Sequence, residues 1–219
     1  ALTSDTKGSH TVAIGRGSLE TQNFTTATDV YNVAVGSFAG RNVTTGTRSV
    51  LIGGLSGDAL TTGSRNSVIG YNALGSDTLG ARATALGYGA LQTQNFTTAT
   101  DNYNVALGYN AGGSVTTGLQ NTFVGALAGD SLQDADFNVA VGYAALSADT
   151  LGSNSTALGW SALSVQNFST ATLSYNTAVG FKAGLSVTTG TQNTLIGGLT
   201  GNAITTGVQN TMLGYNTDT

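Results

Sequence analysis

Cysteine and proline are absent from the 219 residues, and only 8% of the chain is charged. Without Cys there are no disulfides, thiolate metal sites or thiol nucleophiles. Without Pro no backbone N–H is lost, which suits a chain whose amides serve hydrogen-bonded ladders throughout. Seven Lys/Arg stand against eleven Asp/Glu, and the resulting net charge of −4 argues against nucleic acid as a partner. No stretch approaches the ~18 apolar residues that a membrane helix needs, so no membrane span is expected in this segment. The opening ALTSDTKGSH has neither a basic n-region nor an apolar h-region, so no signal peptide is visible. Starting without Met, the chain reads as a fragment or processed product. What it does have is 40% hydrophobic residues, enough to bury a core, and 32 Gly.

Those glycines are periodic. A Gly preceded by Ile, Val or Leu stands at 15, 36, 53, 70, 87, 108, 125, 142, 159, 180, 197 and 214. The spacings run 21, 17, 17, 17 and then repeat, so one long and three short coils make a unit of 72 residues. Repeats of this length signal a solenoid. The chain therefore divides into three super-repeats, 1–72, 73–144 and 145–219, of one continuous array of about twelve coils.

Reading down the columns gives the fold class. The residue before each anchor Gly is always aliphatic, and two residues earlier stands Val or Thr in every coil except that of Ser67. The residue between them is apolar as well, from Ala13 and Ala34 to Leu195 and Met212. β-Branched alternation marks a short strand, and a strand apolar on both faces is covered on both. The aliphatic column is expected inside the coil. The column between, or its neighbour, is expected to face a second chain, hence a parallel homotrimer. A helix is excluded by the glycine load, at roughly 1 kcal/mol for each interior position. Asn stands four residues before the anchor in eight of twelve coils and predicts a stacked amide ladder. A second Gly ten residues after the anchor, as at Gly46 and Gly63, reads as a turn needing positive φ. The architecture is all-β, a parallel β-solenoid or β-roll, about 55–60 Å long at ~4.8 Å per coil.

The segments HTVAIGRGS (10–18), YNVAVGSFAG (31–40), NSVIGYNAL (66–74) and YNTAVGFKAG (175–184) share a further feature, a small residue such as Ala39, Ala73 or Ala183 three positions after the anchor. They resemble the left-handed β-roll repeats of trimeric autotransporter adhesin heads and related repeats of phage tail fibres. The likeness covers essentially the whole chain. It implies a parallel trimer outside a cell or on a virion, with an attachment or spacer role. The coils of 17 and 21 residues are longer than those of adhesin heads, which favours the phage-type fibre.

Catalytic chemistry is not evident. His10 is the only His, with Arg82 and Asn154 at its equivalent positions, and reads as a surface residue. Asp5, Asp77 and Asp149 share a column 72 residues apart and read as turn residues. No enzyme, cofactor or metal site is expected. Two columns are candidates for ligand contact. Tyr71, Tyr88, Tyr109, Tyr143, Trp160, Phe181 and Tyr215 follow the anchor directly and either stack on sugars or cover seams between subunits. In the long coils, Phe24, Phe96 and Phe168 precede TTATD, TTATD and STATL, and either crown a protruding binding loop or fold back to plug it. Arg48, Arg65 and Arg82 form a column expected in solvent, and the sequons at Asn23, Asn42, Asn95, Asn154 and Asn167 matter only in a glycosylating host. The expected function is a non-catalytic element of an extracellular fibre that contacts itself and a cell-surface glycan or receptor. The alternative is an ice- or carbohydrate-binding solenoid, from Thr pairs such as Thr44–Thr45 and Thr61–Thr62.

Overall fold

The structure, a computed structural model, describes residues 1–218. Twelve strands of three residues and six of two are found among them, with no helix. The three-residue strands mark about twelve turns of parallel β-solenoid. The chain forms two compact units, 1–106 and 107–219, whose boundary lies within the second super-repeat.

In the first unit, Val12–Ile14, Val33–Val35, Val50–Ile52, Ser67–Ile69 and Thr84–Leu86 pair in parallel, each with the next. Equivalent residues lie opposite one another, as in Val33 against Val50 and Ala34 against Leu51. In the second unit the same register links Thr122–Val124, Val139–Val141, Thr156–Leu158, Thr177–Val179, Thr194–Ile196 and Thr211–Leu213. The long coils add a second element. Thr28–Asp29 pairs with Gly8–Ser9 and Thr100–Asp101 with Gly80–Ala81 in the first unit, and Thr172–Leu173 with Gly152–Ser153 in the second.

The anchor glycines are required twice over. Gly36 has φ 141° and Gly125 φ 129°, in a region that L side chains rarely adopt. A Cβ on Gly36 would also lie 2.5 Å from the carbonyl oxygen of Gly53, in the following coil. The second glycine column has a different cause from the one expected. Gly46 and Gly63 do not have positive φ; a Cβ on Gly46 would meet the Gly63 carbonyl oxygen at 2.5 Å. Close stacking of coils, not positive φ, favours Gly there, and Ala135 is the one exception among the short coils.

The interior is also the reverse of the expectation. The middle strand residues Ala34, Leu51, Val68, Ala85, Phe123, Ala140, Ala157, Ala178 and Leu195 are fully buried. The aliphatic residue before each Gly points outward, with Ile69 41% and Ile196 39% exposed. Strand alternation yields two apolar columns, and packing across the coil decides which is inside. A further interior column lies four residues after the anchor. There Leu19, Leu91 and Leu163 complete the coils of Ala13, Ala85 and Ala157, whereas Gly57, Gly129 and Gly201 make room for Leu51, Phe123 and Leu195. The order Leu, Gly, Gly, Leu in this column repeats with the 72-residue period as far as Gly201.

Candidate functional site: the outward sheet face and its borders

Four columns make up the outward side of the sheet. Two belong to the strand, the β-branched residue three before the anchor and the aliphatic residue one before it. The aromatic column borders them after the anchor. On the other border, five residues before the anchor, stand Tyr31, Arg48, Arg65, Phe137, Tyr175 and their equivalents. Each of these has left-handed backbone, for example Arg65 at φ 61° and Phe137 at φ 60°. That conformation turns the chain at the corner, where its cost is balanced by hydrogen bonds such as Arg65 N–H to Thr47 O at 2.9 Å. None of the eleven acids falls in these four columns in any coil. The strand part of the strip joins an aliphatic column to one of Val, Thr and Ser, and is half-exposed to exposed, with Leu86, Leu158 and Ile196 near 40% accessible.

The aromatic column is exposed, as its side of the sheet requires. Its rings stack on one another. Tyr71 and Tyr88 lie 5.6 Å apart in the first unit; Tyr143, Trp160 and Phe181 follow at 6.0 and 5.2 Å in the second. Interplanar angles of 15–18° mean that neighbouring rings cover each other's faces and present edges to solvent. Tyr109 and Tyr215 are exposed in the same column of the second unit. Lys182 sits 5.2 Å from the Trp160 centroid and 5.5 Å from that of Phe181, a cation–π contact that caps the stack.

The long-coil phenylalanines are not on this surface. Phe24, Phe96 and Phe168 are only 5–6% exposed, so the ring of each folds back beneath its coil, the second of the two placements expected of it. The insertion does not stand free either. Thr28 and Val30 donate backbone hydrogen bonds to Lys7 and Ser9 of the preceding coil, at 3.2 and 3.1 Å. The crests 25–27, 97–99 and 169–171 are exposed, as are Asp29, Asp101 and Leu173 beside them.

Behind each crest lies a polar relay that the sequence reading did not assemble. Asp77 accepts from Gln94 Nε2 at 2.7 Å, and Gln94 Oε1 accepts from Asn104 Nδ2 at 2.8 Å. Asp149, Gln166 and Asn176 repeat this at 2.5 and 2.8 Å, and Asp5, Gln22 and Asn32 at 2.6 and 2.9 Å. The signal was the coincidence of Asp, Gln and Asn columns at the long coil alone. Asp77 and Asp149 are fully buried, and burial holds their carboxyl groups above the usual range despite hydrogen bonds from Gln94 or Gln166 and from backbone amides. At Asp5 burial acts in the same direction, but hydrogen bonds from Gln22, Gly8, Phe24 and Lys7 outweigh it and lower the group. Each acid also accepts from a backbone N–H three residues on, Gly8, Gly80 or Gly152, so it serves its own turn as expected and the pairing between coils as well.

The asparagine column is mainly a clamp on backbone. Asn138 donates to Gly152 O at 2.9 Å and accepts from Ser155 N–H at 2.9 Å. Amide-to-amide steps occur at Asn193 to Asn176 and Asn210 to Asn193. The Thr hydroxyls of 44, 61 and 188 are likewise directed to the carbonyl of the following coil. Among the described residues no cluster of His, Cys, Asp or Glu has metal-site geometry, and no helix is long and apolar enough to cross a membrane.

The fold and this surface define a parallel β-solenoid repeat protein. Comparison with protein-family models, curated proteins and solved structures finds no match to the chain.

Proposed function

We propose that the chain is a non-catalytic structural and attachment element of an extracellular fibre, exposed at a cell surface or on a virion, as in phage tail fibres and adhesin heads or shafts. The observation that carries this reading is the outward face of the sheet. Its column before the anchor is aliphatic in every coil, no acid falls on it, and it is half-exposed to exposed in the single chain. Parallel sheets are ordinarily covered on both faces, and a large apolar patch on a soluble chain marks an association surface. The covering partner must repeat at the coil rise, which is what further copies of the same chain do. The assembly is a parallel homotrimer with this face toward its axis.

The exposed Thr/Ser-rich crests of the long coils then lie on the outside of the fibre, where they supply repeated weak contacts to a cell-surface glycan or receptor. Light scattering tests the carrying step on the purified chain. A trimer mass supports the reading, and a monodisperse monomer at tens of micromolar rejects it.

A further inference from the structure

We propose that the aromatic column is one half of a seam between copies, and that its counterpart is the left-handed column on the opposite border of the same strip. The proposal rests on the self-association described above and adds which residues meet, and in what register.

Rotation about an axis along the stack keeps each coil level with the same coil of every other copy, and joins one border of the strip to the other border of its neighbour. The two columns can therefore be matched coil by coil. Phe137 falls opposite Tyr143, an aromatic pair, and Arg65 falls opposite Tyr71, a cation–π pair. The third coil of each super-repeat breaks the ring column, with Gly54, Ala126 and Gly198. In those same coils the opposite border carries the long, flexible Arg48, Gln120 and Gln192, so small meets large. No acid occurs in either column, and the rings whose faces are already stacked within a chain offer their edges outward to the neighbour. A displacement of one coil in one direction would face Gly54, Ala126 and Gly198 with the rings of Tyr31, Tyr103 and Tyr175, and in the other would part Phe137 from Tyr143 and set it against Ala126. The pattern thus fixes axial register as well as contact.

The absence of Cys makes the test direct. Within one chain, Phe137 and Tyr143 are separated by the strand Val139–Val141, about 15–20 Å of extended backbone and too far for a disulfide. Phe137→Cys with Tyr143→Cys is oxidised in the assembled protein and run on a non-reducing gel. Covalent oligomers are expected from this double variant, and from Arg65→Cys with Tyr71→Cys. None are expected from the single variants or from the offset pair Phe137→Cys with Trp160→Cys. If the parent is an oligomer but neither in-register pair cross-links, or if the offset pair cross-links equally, the seam is overturned while self-association stands. A monomeric parent overturns both.

Discussion

At the scale of single residues, the strand Val139–Val141 shows what alternation does and does not encode. Both columns are apolar, so the period of two announces a strand covered on both faces, and that much is legible. Which column is inside depends on what crosses the coil toward it. Ala140 is fully buried and Val141 is half-buried, the same order that holds in every coil from Ala34 to Leu195. Both columns are apolar, so a scan of one strand at a time does not reveal the choice. The consequence reverses the order expected of two neighbouring substitutions. Ala140→Asp places an unpaired carboxylate in the coil interior and should cost several kcal/mol, enough to lower the melting midpoint by about 10 °C or more. Val141→Asp should leave the coils folded and cost less than about 1 kcal/mol in the isolated chain, since the side chain reaches water. Thermal unfolding of the two variants at low concentration checks this. A larger loss for Val141→Asp would put the interior back on the other face.

At the scale of elements, the long coil is where sequence reasoning fell furthest short. Four extra residues suggest a protruding loop, but they make a two-stranded pairing with the coil before and bury a Phe. The reason is chemical. The insertion carries Gln94 between Asp77 and Asn104, and the relay runs in one direction, Asn donating to Gln and Gln donating to Asp. The columns were individually visible, but their meeting across coils of unequal length was not. The relay also sets a pH dependence. The folded-state pKa of Asp77 and Asp149 is raised above the unfolded value, by burial first, and so are those of Asp58 and Asp130. A raised group contributes stability that is full below the unfolded pKa, about 4, and lost as pH rises through the folded value. The chain should therefore become more stable as pH falls from 7 toward about 4, with Asp5 opposing this only below its unfolded value. Melting midpoints across that range are the measurement, and a midpoint that falls on acidification refutes the assignment. The backbone clamp makes a separate prediction. Asn138→Ala strands the buried Gly152 carbonyl and the Ser155 amide, at about 1–3 kcal/mol for each group left unpaired. Denaturant unfolding should show a lower midpoint with an unchanged slope.

At the scale of the whole molecule, the proposed assembly ties folding to chain concentration. An apolar strip that is covered only by other copies contributes its burial, at ~25 cal/mol per Å², only when those copies are present. Stability then rises with concentration on the order of 1 kcal/mol per tenfold, or roughly 2–4 °C for a chain of this size. Leu86 and Leu158 offer the cleanest perturbation, because they lie on the strip in different units, are 43% and 37% exposed, and take no part in the relays or the coil interior. Leu86→Lys with Leu158→Lys adds charge where no acid can answer it and leaves each coil's packing alone. The double variant should keep the parent's far-ultraviolet circular dichroism at low concentration. It should lose the concentration dependence of melting and run as a monomer in light scattering. A parent whose midpoint does not move with concentration, or a double variant that still assembles, would mean that the strip is not the surface through which copies meet.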